Sequence, residues 1–189
     1  MKILEHIDSY VLQLAEVNKL KESIETSKRG EFYATVEGDM AYSDKDYKLE
    51  KQYNESVKLH RKQIKESEEK LEKSSKLLDN YVKNIQSDLD NISNHDLQIA
   101  IQKLTEKIDE LELYILALRD GIKIAKENGD KAYSSGNFLQ EKMYNLEYRR
   151  LYEEMIALEP IVENYRDTLN ILNDKSFEPN SPTSFGPIN

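Results

Sequence analysis

The stretch LQIAIQKLTEKIDELELYILALRDGIKIA, residues 97–125, decides the fold of this chain. Its apolar residues recur in strictly alternating steps of four and three, with Ile at every a position of a heptad and Leu at nearly every d position. The seam consists of Leu97, Ile101, Leu104, Ile108, Leu111, Ile115, Leu118, Ile122 and Ala125. Because it is sustained over about four heptads, it predicts a helix that another helix buries along one edge.

The composition favours long helices over a compact globular core. Of the 189 residues, 38% are apolar and 33% are charged, and the mean hydropathy is -0.76. Long helices with narrow apolar seams need less apolar material than a sphere of the same chain length. Helix breakers are also rare before residue 179, because three of the four prolines lie in the last eleven residues. We therefore predict an all-α, elongated, antiparallel coiled-coil bundle of four helices.

The charge balance bears on the partners and the location of the protein. Lysine and arginine total 27 against 36 aspartate and glutamate residues, which gives a net charge of -9. Phosphate backbones and anionic lipids repel an acidic chain, so we expect neither nucleic acid nor a membrane as a partner. The apolar N-terminal segment is interrupted by acidic residues, unlike a secretory signal, and the chain contains no cysteine. These features predict a cytoplasmic location, in the cell or in a host cell.

Helical periodicity predicts where the four helices lie. Their expected bounds are about residues 3–29, 46–93, 96–133 and 137–174, within a single bundle over residues 1–175. Gly30 follows two basic residues and so resembles a helix stop signal. We expect residues 30–45 to form a non-helical connector, either a structured loop or a small β-hairpin. Pro160 should bend the fourth helix without ending it, and residues 176–189 should be a disordered tail.

Short connections make consecutive helices antiparallel, which fixes the expected pairing. Facing residues of the second and third helices should have numbers that add to about 189, and those of the third and fourth to about 271. The third helix would then be the shared centre of the bundle. Its pattern of Ile at a and Leu at d also favours parallel two-stranded coiled coils, so a homo-oligomer through residues 96–133 is the alternative. A second apolar stripe on this helix predicts more than one neighbour; it contains Ala100, Leu113, Tyr114, Leu116, Ala117 and Ile124.

The sequence contains no pattern that indicates catalysis or cofactor binding. The three histidines, His6, His60 and His95, lack a Glu or His at the spacing of a helical metal pair. Glycine-rich phosphate loops and nucleophile elbows are also missing from the sequence. We therefore predict a non-enzymatic protein without a catalytic, cofactor-binding or metal site.

Two segments are candidate surfaces for a protein partner. Tyrosines on the fourth helix lie beside two arginines, and both residue types are enriched at binding hot spots. The alternative is that these tyrosines belong to the seam of the helix and keep only their hydroxyl groups in water. In the tail, apolar residues between prolines have no core to join, so they could dock in a groove of a partner. The candidate residues are Tyr144, Tyr148, Arg149, Arg150 and Tyr152 on the helix, and Phe177, Phe185 and Ile188 in the tail.

The stretch GDKAYSSGNF, residues 129–138, resembles the turn region of a single tetratricopeptide repeat. The small residues Gly129, Ala132 and Gly136 carry this resemblance, which covers about ten residues. It implies a tight helical hairpin and a peptide-binding role around residues 129–148. Helices of nearly 40 residues are longer than those of that repeat, so we interpret the likeness as convergence on a tight turn.

Together these features predict a structural or adaptor protein that acts through coiled-coil contacts with protein partners in a larger assembly. The alternatives are a helical peptide-binding module around residues 129–148 and a secretion or assembly chaperone.

Overall fold

The computed structural model describes residues 2–177, and this part of the chain is helical with short turns and no strand. Its four helices are α1 (Lys2–Ser43), α2 (Tyr47–Asn91), α3 (Asn94–Ser134) and α4 (Phe138–Phe177). The all-α prediction is confirmed. The described helices form two compact units: Leu12–Asn84 is one, and residues 2–11 together with residues 85–177 are the other. The prediction of one elongated bundle over residues 1–175 stays a prediction.

The predicted connector at residues 30–45 is wrong, because α1 continues without a break to Ser43. The sequence hides this continuation because the inward-facing residues after Ile24 are small and carry little hydrophobic signal. Ser27, Ala34 and Ala41 are buried at seven-residue intervals. The aromatic residues that suggested extended backbone, including Phe32 and Tyr33, are exposed on the other faces of the helix.

Gly30 lies in the middle of α1 and does not end it. A β-carbon at this position would be only 2.5 Å from Cε1 of His60 on α2, so the missing side chain makes room for the imidazole ring. Beside this contact, Glu31 accepts a hydrogen bond from Nε of Arg61 at 2.6 Å. The residue numbers of the contact between Gly30 and His60 and of that between Gly38 and Tyr53 add to 90 and 91, so α1 and α2 pack antiparallel within the unit Leu12–Asn84.

The two helical hairpins, α1–α2 and α3–α4, have turns of the same geometry. Lys45 and Gly136 occupy the left-handed region, with φ of 60° and 73°. Gly136 adopts this conformation at no steric cost, whereas a lysine there is uncommon. The residue that follows each of them caps the next helix: its side-chain oxygen accepts a hydrogen bond from the backbone N–H three residues later. The distance is 3.1 Å for Asp46 at the start of α2 and 3.3 Å for Asn137 at the start of α4.

The matching turns belong to a longer repeat in the chain. Residues 38–54 read GDMAYSDKDYKLEKQYN, and residues 129–145, which lie 91 positions later, read GDKAYSSGNFLQEKMYN, with nine of seventeen positions identical. The contacts repeat as well. Two aromatic rings pack edge to face across each turn. The ring centroids are 6.3 Å apart for Tyr42 and Tyr47, and 6.5 Å apart for Tyr133 and Phe138. The chain is thus built from two copies of one helical hairpin.

The seam of α3 is the core of the unit that contains both α3 and α4. Leu104 and Ile108 are buried, with most of the other seam residues. A β-carbon at Gly121 would be 3.1 Å from Cδ1 of Leu151, and one at Gly129 would be 3.6 Å from Cβ of Tyr144. Because both pairs of numbers add to about 271, the predicted antiparallel pairing of these helices is confirmed. The pairing that adds to 189 joins residues of different units for all of α2 before Ile85, and it stays a prediction.

The ends of α3 and α4 differ slightly from the predicted ends, whereas the course of α4 through Pro160 agrees with the prediction. Ser93 caps α3, because its hydroxyl oxygen accepts a hydrogen bond from the backbone N–H of Asp96 at 3.1 Å. Helix α4 runs through Pro160 without ending, as predicted. It then continues to Phe177, so the first two residues of the predicted tail are helical and the remaining residues lie outside the described part of the chain.

Candidate interaction surfaces

The predicted strip of tyrosines on α4 is divided between core and surface. Tyr144 faces Gly129 of α3, and like Tyr148 it is half-buried. Tyr148 stacks on Tyr152, with 6.0 Å between ring centroids and an angle of 5° between the rings. Tyr152 is the most exposed of the three and is the one best placed to meet a partner.

The two arginines beside this strip have different surroundings. Arg150 donates hydrogen bonds to Glu147 at 2.8 Å and to Glu154 at 3.3 Å, and Tyr114 of α3 also donates to Glu154. The hydrogen bond from Arg150 lowers the pKa of Glu147, and the same contact raises the pKa of Arg150. Arg149 is exposed and lines a groove on the outer face of α4. Of the two, Arg150 is therefore already engaged by carboxylates of its own helix.

The predicted docking residues of the tail cannot be placed on a surface. Phe177 is the last residue of α4. Phe185 and Ile188 lie outside the described residues, so docking of the tail stays a prediction.

The second apolar stripe of α3 is largely exposed, although the sequence predicted a second neighbour over it. Only Ala100 of that stripe is buried. Part of the stripe lines a groove of about 730 Å³ between α3 and α4, in which Leu113 and Leu116 lie beside Ile115 and Val162. The sequence predicted the apolar residues but not the groove, because the groove depends on which side of α3 its partner leaves open.

Ion pairs between the two helices form the rim of this groove, which we call the α3–α4 groove. Arg119 donates to Glu159 at 2.8 Å. Arg166 donates to Glu112 at 2.7 Å and to Glu163 at 2.9 Å. These hydrogen bonds with Glu112 and Glu163 raise the pKa of Arg166. The groove therefore has an apolar floor between two arginines that are held in place by carboxylates.

A smaller groove lies on the outer face of α4, close to the turn. It has a volume of about 370 Å³. Its lining mixes aromatic, apolar and charged side chains: Phe138, Glu141, Lys142, Asn145, Leu146 and Arg149. Apart from Arg149, these residues were not among the candidates predicted from the sequence. Comparison of the chain with itself at an offset of 91 residues would have drawn attention to them.

A polar cluster ties the start of α1 to α3 and α4. Oδ1 of Asp8 accepts hydrogen bonds from Nζ of Lys107 at 2.7 Å and from the hydroxyl of Tyr165 at 2.9 Å. Burial raises the pKa of Tyr165. Burial alone would lower the pKa of Lys107, but the hydrogen bonds to Asp8 and Tyr165 outweigh it and raise this pKa. The residues are far apart in the chain, so no local pattern could have revealed the cluster.

Two of the three histidines have a packing or pairing role in the structure. Nδ1 of His6 lies 2.7 Å from Oδ2 of Asp88, and the ring of His60 packs on Gly30. Within residues 2–177, no group of three or more potential ligand side chains is placed to hold a metal ion.

None of the described helices has the length and apolar character needed to cross a membrane. No protein-family model, no curated protein and no solved structure matches this chain.

Proposed function

We propose that this protein is a non-enzymatic structural or adaptor component that binds a protein partner through helix–helix contact. The observation that carries the proposal is the exposure of the α3–α4 groove. Leu113 and Leu116 are 67% and 55% exposed. Contiguous apolar side chains that face water favour a partner that covers them.

The α3–α4 groove has the composition of a protein interface. An apolar centre surrounded by a charged rim is the usual arrangement, and arginine is enriched at binding hot spots. Arg119 and Arg166 stand on the rim, already oriented by their ion pairs. A groove between two antiparallel helices suits an amphipathic helix, which would lay its apolar face on the two leucines.

The amphipathic helix could also come from a second copy of this chain. The exposed stripe on α3 supports self-association through residues 96–133, because Ile124 and Tyr114 are exposed on the same helix. In that case the chain would associate with copies of itself in addition to acting as an adaptor.

The variant Leu113→Asp with Leu116→Asp tests this function. Both side chains are exposed, so we expect an unchanged helical circular-dichroism spectrum. Charged groups in an apolar contact are costly to desolvate, so affinity for the partner should fall at least tenfold. The partner is first identified by crosslinking and mass spectrometry, then purified and titrated by calorimetry. Sedimentation of the chain alone shows whether a second copy is the occupant.

Leu59→Asp is the matched control for this variant. Leu59 is an exposed leucine on α2, so its replacement should leave the affinity unchanged. The proposal is wrong if the double variant binds every identified partner as tightly as the wild type and sediments as the wild type does.

A second candidate function is the peptide-binding module that the sequence suggested around residues 129–148. The groove on the outer face of α4 favours it, because this groove combines Phe138 and Leu146 with Lys142 and Arg149. A chaperone that holds a segment of another protein would use the same chemistry.

A further inference from the structure

The outer faces of α2 and α4 carry the same side chains near the turn of each hairpin. Glutamate, lysine and asparagine recur unchanged, and an aromatic residue and a cation recur in kind. The copy on α2 consists of Tyr47, Glu50, Lys51, Asn54 and Lys58, and the copy on α4 of Phe138, Glu141, Lys142, Asn145 and Arg149. We call these sets the α2 patch and the α4 patch.

Packing explains other identical residues of the repeat but not the aromatic and cationic members of the patches. Ala41 and Ala132 are buried against the partner helix, and Gly38 and Gly129 each face a tyrosine. Most members of the two patches are exposed on the outer face, whereas Glu50 and Glu141 are half-buried and Oδ1 of Asn145 lies 3.5 Å from the β-carbon position at Gly129. Tyr47 is 62% exposed and Phe138 is 68% exposed. Surface positions that do not pack are free to diverge, so retention of their chemistry in both copies indicates binding.

The side chains of the two patches also have the same arrangement. Successive members are three, one, three and four residues apart, which places them along one side of a helix. In the α2 patch the amide of Asn54 donates to Glu50 at 3.5 Å, and in the α4 patch the amide of Asn145 donates to Glu141 at 3.4 Å. Such a pair on an exposed helix stabilises the helix only slightly, so helix stability alone does not account for its presence in both copies.

The chemistry of the patches defines the partner that they suit. Each patch holds two cations and one carboxylate that is already bonded by the asparagine, and on α2 the exposed Glu55 stands where α4 has Leu146. Seven residues separate the two cations, which is about 10 Å along a helix axis. In a peptide with polyproline II geometry, which has three residues per turn, acidic side chains three residues apart lie on one side and span about 9 Å. An apolar side chain of the same peptide would contact the aromatic ring, and in the α4 patch also Leu146.

We propose that the α2 and α4 patches are two equivalent sites, each of which binds an acidic peptide segment that contains an apolar residue. One chain therefore holds two copies of the same partner. This inference rests on the second candidate function, peptide binding at α4, and it does not depend on the α3–α4 groove. It extends that function by naming the chemistry of the peptide and by adding the second site on α2.

The experiment uses the full chain and a synthetic peptide as the probe. An array of 15-residue peptides, in which Asp and Glu are combined with Leu and Phe at varied spacing, identifies the sequence that binds best. Native mass spectrometry then counts bound peptides, and we expect two per chain. Lys51→Glu with Lys58→Glu should leave one bound peptide, and so should Lys142→Glu with Arg149→Glu. All four replacements together should leave none, with each site weakened at least tenfold.

Two further measurements distinguish binding at the patches from binding at the α3–α4 groove and from a loss of helical structure. The groove variant Leu113→Asp with Leu116→Asp should still bind two peptides. Peptide binding at the patches is therefore measured independently of partner binding at the α3–α4 groove. Circular dichroism confirms that each variant remains helical, as expected for exposed positions. The inference is overturned if no peptide of the array binds, if the wild type binds one peptide only, or if either double variant removes both peptides or neither.

Discussion

Replacement of Leu104 by alanine is expected to lower the free energy of unfolding by about 2–5 kcal/mol, the range for a large side chain removed from a core. Leu104 is 1% exposed and lies on the seam by which α3 packs in its unit. Its truncation removes buried apolar surface and leaves a cavity that the surrounding long helices can only partly close. Urea denaturation followed by circular dichroism measures the change.

Leu113→Ala is the matched control on the same helix. Leu113 is exposed, so its truncation should change the free energy of unfolding by no more than about 0.5 kcal/mol. Equal losses for Leu104→Ala and Leu113→Ala would show that the seam of α3 is not its buried face, and the packing of α3 against α4 would then be wrong.

Replacement of His60 by leucine is expected to stabilise the protein by about 1–3 kcal/mol, the cost of a buried polar group left without a partner. Nδ1 of His60 is buried and makes no hydrogen bond to the described residues. The equivalent residue of the second hairpin is Leu151, which packs against Gly121 as His60 packs against Gly30. Leucine therefore fits this kind of site. Urea denaturation measures the change in the unfolding free energy.

Leu151→His provides the reciprocal test in the second hairpin. It places a polar ring against Gly121, where leucine now packs, and it should destabilise the protein. If His60→Leu instead destabilises the protein, the contact between the imidazole ring and Gly30 is more favourable than the repeat suggests.

The helices with a strong apolar signal were predictable from the sequence. The buried seam of α3 and its pairing with α4 were predicted from apolar residues that recur in alternating steps of four and three. Large side chains on the buried face of a helix produce this period. The second half of α1 was missed because its inward face is made of Ser27, Ala34 and Ala41. Gly30 was misinterpreted as a stop signal because its role depends on His60, which is distant in the sequence.

The candidate surfaces were predictable only in part, for a related reason. Composition drew attention to the tyrosines of α4, but only the structure shows that Tyr144 faces Gly129 and that Arg150 is bonded to Glu147. The α3–α4 groove depends on the side of α3 that remains uncovered. The repeat itself was present in the sequence, but its residues are mostly glycine, alanine, tyrosine and polar types, which a search for hydrophobic periodicity does not detect.

The central claim is that the chain contains two copies of one helical hairpin, and paired cysteines test it most directly. The chain has no native cysteine. A β-carbon at Gly38 would lie 3.4 Å from Cβ of Tyr53, and one at Gly129 would lie 3.6 Å from Cβ of Tyr144. These separations are close to the usual distance of about 3.5–4.5 Å between the β-carbons of a disulfide.

Gly38→Cys with Tyr53→Cys, and Gly129→Cys with Tyr144→Cys, should therefore each form a disulfide within one chain under mild oxidation. Mass spectrometry of the digested protein detects the linked peptides. Gly38→Cys with Asn54→Cys is the control and should not crosslink, because Asn54 lies on the outer face of α2. A disulfide in the second hairpin without one in the first would contradict the claim of two equivalent hairpins, because residues 30–43 would then not form the helix that the repeated hairpin requires.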